Sequence, residues 1–436
     1  MLFGSTAEQA VKQALAGGVA AGNQARKLAT AKRLDFYQDQ QLDHLAADLA
    51  KRYAAPSRLQ PAFVNIVRKV VDLLASAYFE PPGRVVDGTD QDQAIFQEIA
   101  EAAGLDTKLK AASRLVKLCK TILIRPVFRN GRMDIDLLTG NLLDVETGDS
   151  PEDLRAVTIT HWGPSGRVDE ITYSRWTPDV VQTLNYRGQV TAEEPNPYGV
   201  LPFVPAWDGL PDDFWLAGGD DLIALQEAIN GQLTALLYTC QQQGFGVGWI
   251  KGGGQGGQVT TGPGAMVELP LDGALGFAST EAPIDQILAV IDKLIGWAAV
   301  SNGLPAQVLT TEPNQQSGVA LLVGNSELQE KRRDDLELWR RYEKALFSIM
   351  RVVWNHHNPG RQLSPGATLS IDFADPRPVT SEKDQAVTWQ TLLGLGVISP
   401  VDIAMERNPD LTTREEALAF LLTLQDENSQ LSERRL

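Results

Sequence analysis

The chain is poor in the residues that build metal and redox sites: two cysteines and four histidines in 436 residues. Cys119 and Cys240 lie far apart, match no CxxC spacing, and read as two buried, reduced thiols. His44, His161, His356 and His357 have no metal-ligand spacing. The adjacent His356 and His357 point to different faces of a helix, so both read as surface or cap residues. No Gly-Lys dipeptide occurs, which excludes a Walker A phosphate loop. No run of eighteen or more apolar residues occurs, so a membrane span is not expected. The start, Met1 to Ser5, has neither a basic nor an apolar signal region. Cations are outnumbered, 39 to 55, for a net charge of −16. A protein that grips nucleic acid through a broad basic face is thereby disfavoured, but one that lets DNA pass without holding it is not.

Two motifs survive that filter, and both read as bland. Gly252 to Gly257 satisfies GxGxxG, but Gln258 to Pro263 cannot open the helix whose N-terminus would meet a pyrophosphate. Asp134 and Asp136 share one face of a predicted strand, the minimal start of a metal-dependent nuclease. No further acidic cluster completes it, and a solvated strand face explains the pair. No GxSxG occurs, and Cys119 has no histidine partner in view. Catalysis is not indicated, and no cofactor is expected.

What is present is a regular succession of elements. Helices are predicted over Ala7–Ala31, Arg58–Phe79, Asp90–Ala103 and Asp106–Ile122. Pro81-Pro82-Gly83 ends the second. Asn130-Gly131 between Ile122–Phe128 and Arg132–Leu138 is a strong hairpin signal. Short strand-like runs follow at Ala156–Trp162, Ile171–Trp176 and Val180–Tyr186, an antiparallel region closing at Asn196–Phe203. From Asp220, the residues Leu222, Leu225, Ile229, Leu233, Leu236 and Cys240 give a helix one apolar face. It is on the order of 35 Å long and stops at Gly244. A Gly-rich segment to Ser279 carries strand-like Val247–Lys251, Ala265–Leu269 and Leu275–Ala278. A second helix opens at Pro283 and ends at Asn302-Gly303, with Pro305 beyond. A polar loop leads to a long helix from Ser317 to about Asn355, which would span ~57 Å if straight, with Gly324 as candidate kink. A strand, Thr368–Phe373, precedes three tail helices: Ser381–Leu395, Pro400–Glu406 and Thr413–Gln425. Thr412 to Glu415 matches a capping box, and Ser429–Leu436 reads as a frayed end.

This order resembles the portal family of long-tailed phages over about Asn65 to Leu424. Four pieces carry the resemblance. Asn65-Ile66-Val67-Arg68-Lys69-Val70-Val71-Asp72-Leu73-Leu74 looks like the helix opening the family's wing. Asn196-Pro197-Tyr198-Gly199 through Leu201-Pro202-Phe203-Val204-Pro205, then Gly218-Gly219-Asp220-Asp221-Leu222, looks like its NPxGxxPFVP turn and stem entry. Ser317-Gly318-Val319-Ala320-Leu321 looks like the start of its long helix. Asp372-Phe373-Ala374-Asp375-Pro376, then Gly394-Leu395-Gly396-Val397-Ile398-Ser399, resembles its return strand and first crown helix.

The resemblance implies an α+β portal fold. Its parts would be a wing of helices then antiparallel strands (1–219), a two-helix stem (220–243 and 282–303), and a small β clip between them (244–281). A tunnel loop (304–316), a long kinked helix with its return strand (317–379) and a helical crown (380–436) would follow. It implies a ring of about twelve copies at a capsid vertex, assembled in the host cytoplasm and carried in the virion. Double-stranded DNA would pass through it during packaging and ejection. Expected partners are the terminase large subunit, a head-completion or adaptor protein, the major capsid protein and a scaffold. No membrane partner is expected.

Site residues follow from that layout. Gln307, Thr310, Thr311, Glu312, Asn314, Gln315 and Gln316 offer amides and hydroxyls with one carboxylate and no cation, suited to lining a DNA constriction. Trp249, Lys251, Gln255 and Gln258 fall on the clip as docking candidates. Lys331, Arg332, Arg333, Asp334 and Asp335 form a charged run for contacts between neighbouring wings. The alternatives are another ring-forming head–tail protein or the portal of a gene-transfer particle, and, in a different class, a nuclease using Asp134 and Asp136.

Overall fold

The computed structural model describes residues 24–53, 59–245, 247–251, 274–278, 283–305, 308–309, 326–373, 382–408, 411 and 413–433. The chain divides into two compact units, Met1–Asn314 with Asn325–Ala374, and Gln315–Gly324 with Asp375–Leu436.

The first unit is built on strand β2 (Thr121–Arg129). Ile122, Leu123 and Ile124 are all fully buried, so both faces of β2 are covered. Helix α5 (Leu105–Cys119) and the long helix α8 (Ser326–His357) both pack on it. A strand covered on both faces reads as a continuous apolar run, not an alternation. Strand β3 (Arg132–Thr139) pairs antiparallel along one side of β2, and β9 (Val204–Trp207) along the other. Pro126 cannot donate to a ladder. It lies past Ile124, where the pairing with β9 ends. The β2–β3 turn has two central residues, Asn130 at φ 50° and Gly131 at φ 76°. Positive φ at both is the type I′ geometry whose twist matches the strands.

A second sheet is a meander of β4 (Leu143–Thr147), β5 (Leu154–His161), β6 (Thr172–Trp176), β7 (Val180–Leu184) and β8 (Val190–Pro195). The expected single antiparallel region is therefore two sheets, and β4, β8 and β9 are strands absent from the sequence reading. Strand β1 (Gly83–Asp87) pairs with β12 (Thr368–Asp372), Gly83 opposite Asp372. The sequence showed only a helix stop at Pro81-Pro82-Gly83, because the partner strand is nearly three hundred residues away.

Helices α1 (Gln24–Tyr37), α2 (Leu42–Arg52), α3 (Ile66–Leu74) and α4 (Asp90–Ala103) complete this side. The helix expected over Arg58–Phe79 shrinks to α3. Asn65 is its N-cap, its side chain accepting from the Arg68 N–H, and Ala75 already leaves helical geometry. In α4, Thr89 and Asp92 form a capping box. Burial opposes the Asp92 charge, but N–H groups of Ser364 and Thr89 outweigh it and hold its carboxyl down at about 2. On α8, Trp339 and Tyr342 meet edge-on at 5.6 Å, and Tyr78 packs on Trp339 at 5.1 Å. The Tyr78 hydroxyl donates to Glu343 at 2.7 Å.

In the second unit, α9 (Glu382–Gly394), α10 (Pro400–Arg407) and α11 (Arg414–Glu433) form a small helical cluster. Ser399 and Asp402 cap α10 reciprocally. The capping box expected at Thr412–Glu415 is shifted by one: Thr413 N–H donates to Glu416 at 3.1 Å, and Glu416 N–H to Thr413 Oγ1 at 3.3 Å. Helix α11 continues to Glu433, through residues expected to fray.

Candidate functional site

Two helices pack together as a pair, with α2 and α3 against them. They are α6 (Asp220–Phe245) and α7 (Ile284–Val300), joined through a hairpin of β10 (Val247–Lys251) and β11 (Ala274–Ala278). Gly218 and Gly219, at φ 125° and 84°, turn the chain into α6. A Cβ on Gly219 would meet Lys120 Cε at 3.4 Å and the Leu118 carbonyl at 3.6 Å. Asp220 and Asp221 in the first turn suit the helix dipole, and Arg33 pairs with Asp220 at 2.6 Å.

Helix α6 is held by an amide and hydroxyl ladder at i, i+4 and i+8. Gln226, Asn230 and Thr234 are all buried. Gln226 Oε1 accepts from Ile66 N–H at 2.8 Å and Val67 N–H at 3.1 Å, while its Nε2 donates to Val64 O at 2.7 Å. Asn230 donates to Gln41 Oε1 at 2.8 Å, and Thr234 Oγ1 accepts from Ala62 N–H at 3.1 Å. The ladder thus satisfies orphan N–H groups at the start of α3 from a neighbouring helix. Beside it, Ile229, Leu236 and Ile291 form the apolar seam between α6 and α7. Cys240, expected on the buried face, is exposed, whereas Cys119 is buried and burial pushes its thiol up to about 12.

Helix α7 ends in a Schellman turn. Leu304 N–H donates to Ala299 O and Gly303 N–H to Val300 O, both at 3.0 Å, with Gly303 at φ 73°. Lys331 of α8 donates to the Asn302 carbonyl at 2.8 Å. Below this turn lies a cleft of about 490 Å³, lined by Lys117, Lys120, Asp208, Lys331, Asp334 and Asp335 among others. Lys117 Nζ lies 2.6 Å from Asp208 and 2.7 Å from Asp335, and Lys120 lies 2.6 Å from the other Asp208 oxygen. Burial works against the Lys117 charge, but the two carboxylates outweigh it and raise its pKa. Burial raises the Asp335 carboxyl, which Lys117 offsets only in part. The ion pairs therefore join α5, α8 and the segment after β9 to one another, and Lys331 carries the end of α7 onto α8 through the Asn302 carbonyl.

At the far end of α8, the turn at 196–199 is closed by Asn196. Its Nδ2 donates to Thr177 O at 2.8 Å and Val200 O at 2.9 Å, and its Oδ1 accepts from Tyr198 N–H at 3.0 Å. Gly199 sits at φ 63°. The Tyr198 hydroxyl lies 3.1 Å from His357 Nε2, and His357 stacks on Phe128 at 4.5 Å. Both histidines are exposed in the last turn of α8, and His357 also pins the turn to the β2–β3 hairpin.

With this arrangement in place, the comparison with known families is decisive. Residues 60–431 match the family described as "Phage portal protein, SPP1 Gp6-like". The chain belongs to the phage portal protein family. Its fold is the α+β portal fold with antiparallel sheets, and the family is a structural one. A search of the curated proteins finds no match. Among solved structures, the chain is similar to one from the virion of a native gene transfer agent particle. Identity there is 11%, the TM-score is 0.41, and 77% of this chain and 88% of that chain are covered. It is similar to one from the neck of the native particle computed with C12 symmetry, at 12% identity and TM-score 0.40, covering 77% and 88%. A third, from the neck of the empty particle computed with C6 symmetry, gives 13% and 0.42, covering 81% and 92%.

The residues picked out from the portal sequence divide into three groups. Gln307, Thr310, Thr311, Glu312, Asn314, Gln315 and Gln316 lie outside the described residues, as do Gln255, Gln258 and the start of the long helix before Ser326. Trp249 stands opposite Gly276 in the β10–β11 hairpin, and Lys251 closes its strand, exposed. The run 331–335 does not act as one surface. Arg333 and Asp334 are exposed, Arg332 is half-buried, Lys331 bonds Asn302, and Asp335 is buried against Lys117. Helical periodicity separates them, since Asp335 shares the inner face with Trp339 and Tyr342. Asp134 is paired with Lys108 at 3.1 Å, and Asp136 accepts from Arg129 Nη1 at 2.8 Å. Among the described residues no group of three potential ligands could hold a metal. The sequence reading missed the Gln226–Asn230–Thr234 ladder, although three polar residues at fourfold spacing beside an apolar stripe were its visible trace.

Proposed function

We propose that this portal protein assembles as a ring of about twelve copies at one capsid vertex. Through it double-stranded DNA enters and leaves, and onto it the terminase large subunit, a head-completion or adaptor protein, the major capsid protein and a scaffold dock. The observation that carries this reading is the helix pair itself. Leu237 on α6 and Leu288, Val290, Trp297 and Val300 on α7 are exposed along its length. A patch of that kind suits contact with neighbouring copies, and head-to-tail contacts close only as a ring.

Electrostatics fit a conduit. DNA presents one negative charge per ~1.7 Å of axis, and every lumen lysine would be multiplied by the copy number. A chain of net charge −16 avoids that trap. The tunnel-loop residues Gln307, Thr310, Thr311, Glu312, Asn314, Gln315 and Gln316 would line the constriction through weak polar contacts. The β10–β11 hairpin with Trp249, Lys251, Gln255 and Gln258 would form the docking clip. Arg333 and Asp334 would pair across neighbouring wings, with Lys331 and Asp335 fixing the helix they stand on.

Electron microscopy of the purified chain tests the ring directly: annular particles with rotational symmetry are expected. A subunit that stays single at high concentration would end this reading. In a packaging assay, Thr311→Lys or Asn314→Lys should slow DNA uptake, and unchanged rates would remove the loop from the constriction.

A further inference from the structure

The described part of the second unit buries few apolar side chains fully. Among its described residues only Ala404 and Ala417 are buried apolar side chains, while Val387, Leu395 and Val397 are exposed. Its last helix, α11, is unusual in where its exposed apolar residues lie. At about 100° per residue, Ala417 and Leu421 share an inner direction, buried and half-buried respectively. The inner direction is the one packed against α10, to which Arg414 of α11 is tied by an ion pair with Asp402 at 2.9 Å. Ala419 and Thr423 share the outer direction and are exposed. Leu418 and Leu422, 51% and 55% exposed, form a stripe on one flank. Phe420 and Leu424, 37% and 38% exposed, form a stripe on the other. The two stripes are roughly 200° apart.

A helix docking one partner needs one apolar face, and a helix that is apolar on several sides is normally enclosed. Two opposite flanks between a packed inner face and an outer face of small residues describe something narrower, a helix with a neighbour on each side. Charge agrees. Residues 375–436 hold eleven carboxylates against six cations, so close approach of like units is opposed. The nine residues 417–425 carry no charge at all, and they are the ones bearing both stripes.

We infer that α11 is a subunit contact in which the Leu418–Leu422 flank of one copy packs on the Phe420–Leu424 flank of the next, repeated around the ring. This rests on the ring of the proposed function, and adds a surface and a partner, a second copy of this chain. The contact is heterologous, because the flanks differ, and so propagates in one sense around the ring. Rotation about the ring axis keeps each residue at its own height. With α11 running along the ring axis, as this contact requires, Leu418 faces Phe420 and Leu422 faces Leu424, each offset by ~3 Å of helix rise.

Disulfide trapping tests it on the full-length chain with exposed Cys240 replaced by serine. The double variants Leu418→Cys with Phe420→Cys, and Leu422→Cys with Leu424→Cys, are assembled, oxidised mildly and run without reductant. Neither pair can close within one helix, since its members lie on opposite sides. A ladder of covalent multimers reaching the full ring is expected from at least one pair, and none from the four single variants. Rings seen by microscopy whose two double variants both stay monomeric would overturn the contact and leave the ring standing. Single variants that form dimers as readily would overturn it in favour of a symmetric pairing. If the Cys240→Ser parent forms no rings, the ring reading itself fails, and this contact with it.

Discussion

Two turns in this protein have the same local design and opposite fates. At the end of α7, Gly303 sits at φ 73°, with Leu304 N–H bonded to Ala299 O. At the end of α9, Gly396 sits at φ 68°, with Val397 N–H bonded to Leu392 O and its own N–H to Leu393 O. Both are Schellman turns, in which glycine supplies the left-handed residue and an apolar side chain follows. Leu304 is 3% exposed, packed in the first unit's core, and the turn is gripped further by Lys331. Val397 is 68% exposed. The turn is a local decision of the backbone, whereas the burial of its apolar residue is made by whatever else the fold, or a neighbour, brings to it.

The comparison is sharpened most by deleting the two apolar residues. Leu304→Ala should cost the dissociated subunit about 3 kcal/mol, the usual range for a buried leucine. Val397→Ala should stay within about 0.5 kcal/mol. Denaturant unfolding of both variants decides it, and equal losses would break the contrast. The glycines come next. Gly303→Ala and Gly396→Ala each carry the left-handed penalty of ~1–2 kcal/mol. At Gly303, however, a Cβ would fall 2.3 Å from Lys331 Nζ and 2.7 Å from Glu327 Oε1, whereas at Gly396 nothing lies within 4 Å. Both tips can swing aside, but that costs the Lys331 bond to Asn302, so Gly303→Ala should lower the melting temperature slightly more; a reversal of that order would mean that this bond does not hold the turn.

The smallest effects are in pH. Lys117, beneath the first turn, has a pKa raised above its ordinary 10.5. Its contribution is complete below that value and fades as pH climbs through the raised one, so Lys117→Met should flatten the alkaline limb of stability. Asp402, which caps α10 just after the second turn, has its carboxyl lowered by bonds from Ser399, with Arg414 also contributing. Its contribution is complete above 3.8 and fades as pH falls through the lowered value. Protection of the α10 amides against hydrogen exchange, corrected for the intrinsic rate, should fall at acid pH in the native chain and lose that dependence in Asp402→Asn.

Where local rules suffice, the sequence could be read directly. Asn130-Gly131 marked the β2–β3 turn, and Pro305 after Asn302-Gly303 marked the end of α7. The boundary of α3 failed because Asn65 caps it internally, a contact invisible in an apolar pattern that ran on to Phe79. Strand β1 failed because, among the described residues, its only ladder is with β12. At the site, the helix pair was legible from periodicity. The inward turn of Asp335 and the ladder from Gln226 to Thr234 were not, since each depends on partners from other elements.

The helix pair, the β2–β3 turn and the resemblance to a portal family were set by residue pattern alone, because hydrophobic period, glycine at positive φ and helix caps act over a few neighbours. Which sheet each strand joined, which charges of 331–335 turned inward, and which apolar turn was covered were decided only in three dimensions. Those outcomes depend on side chains far apart in the chain sharing one buried volume, where an unpaired charge or an uncovered leucine has to find its partner.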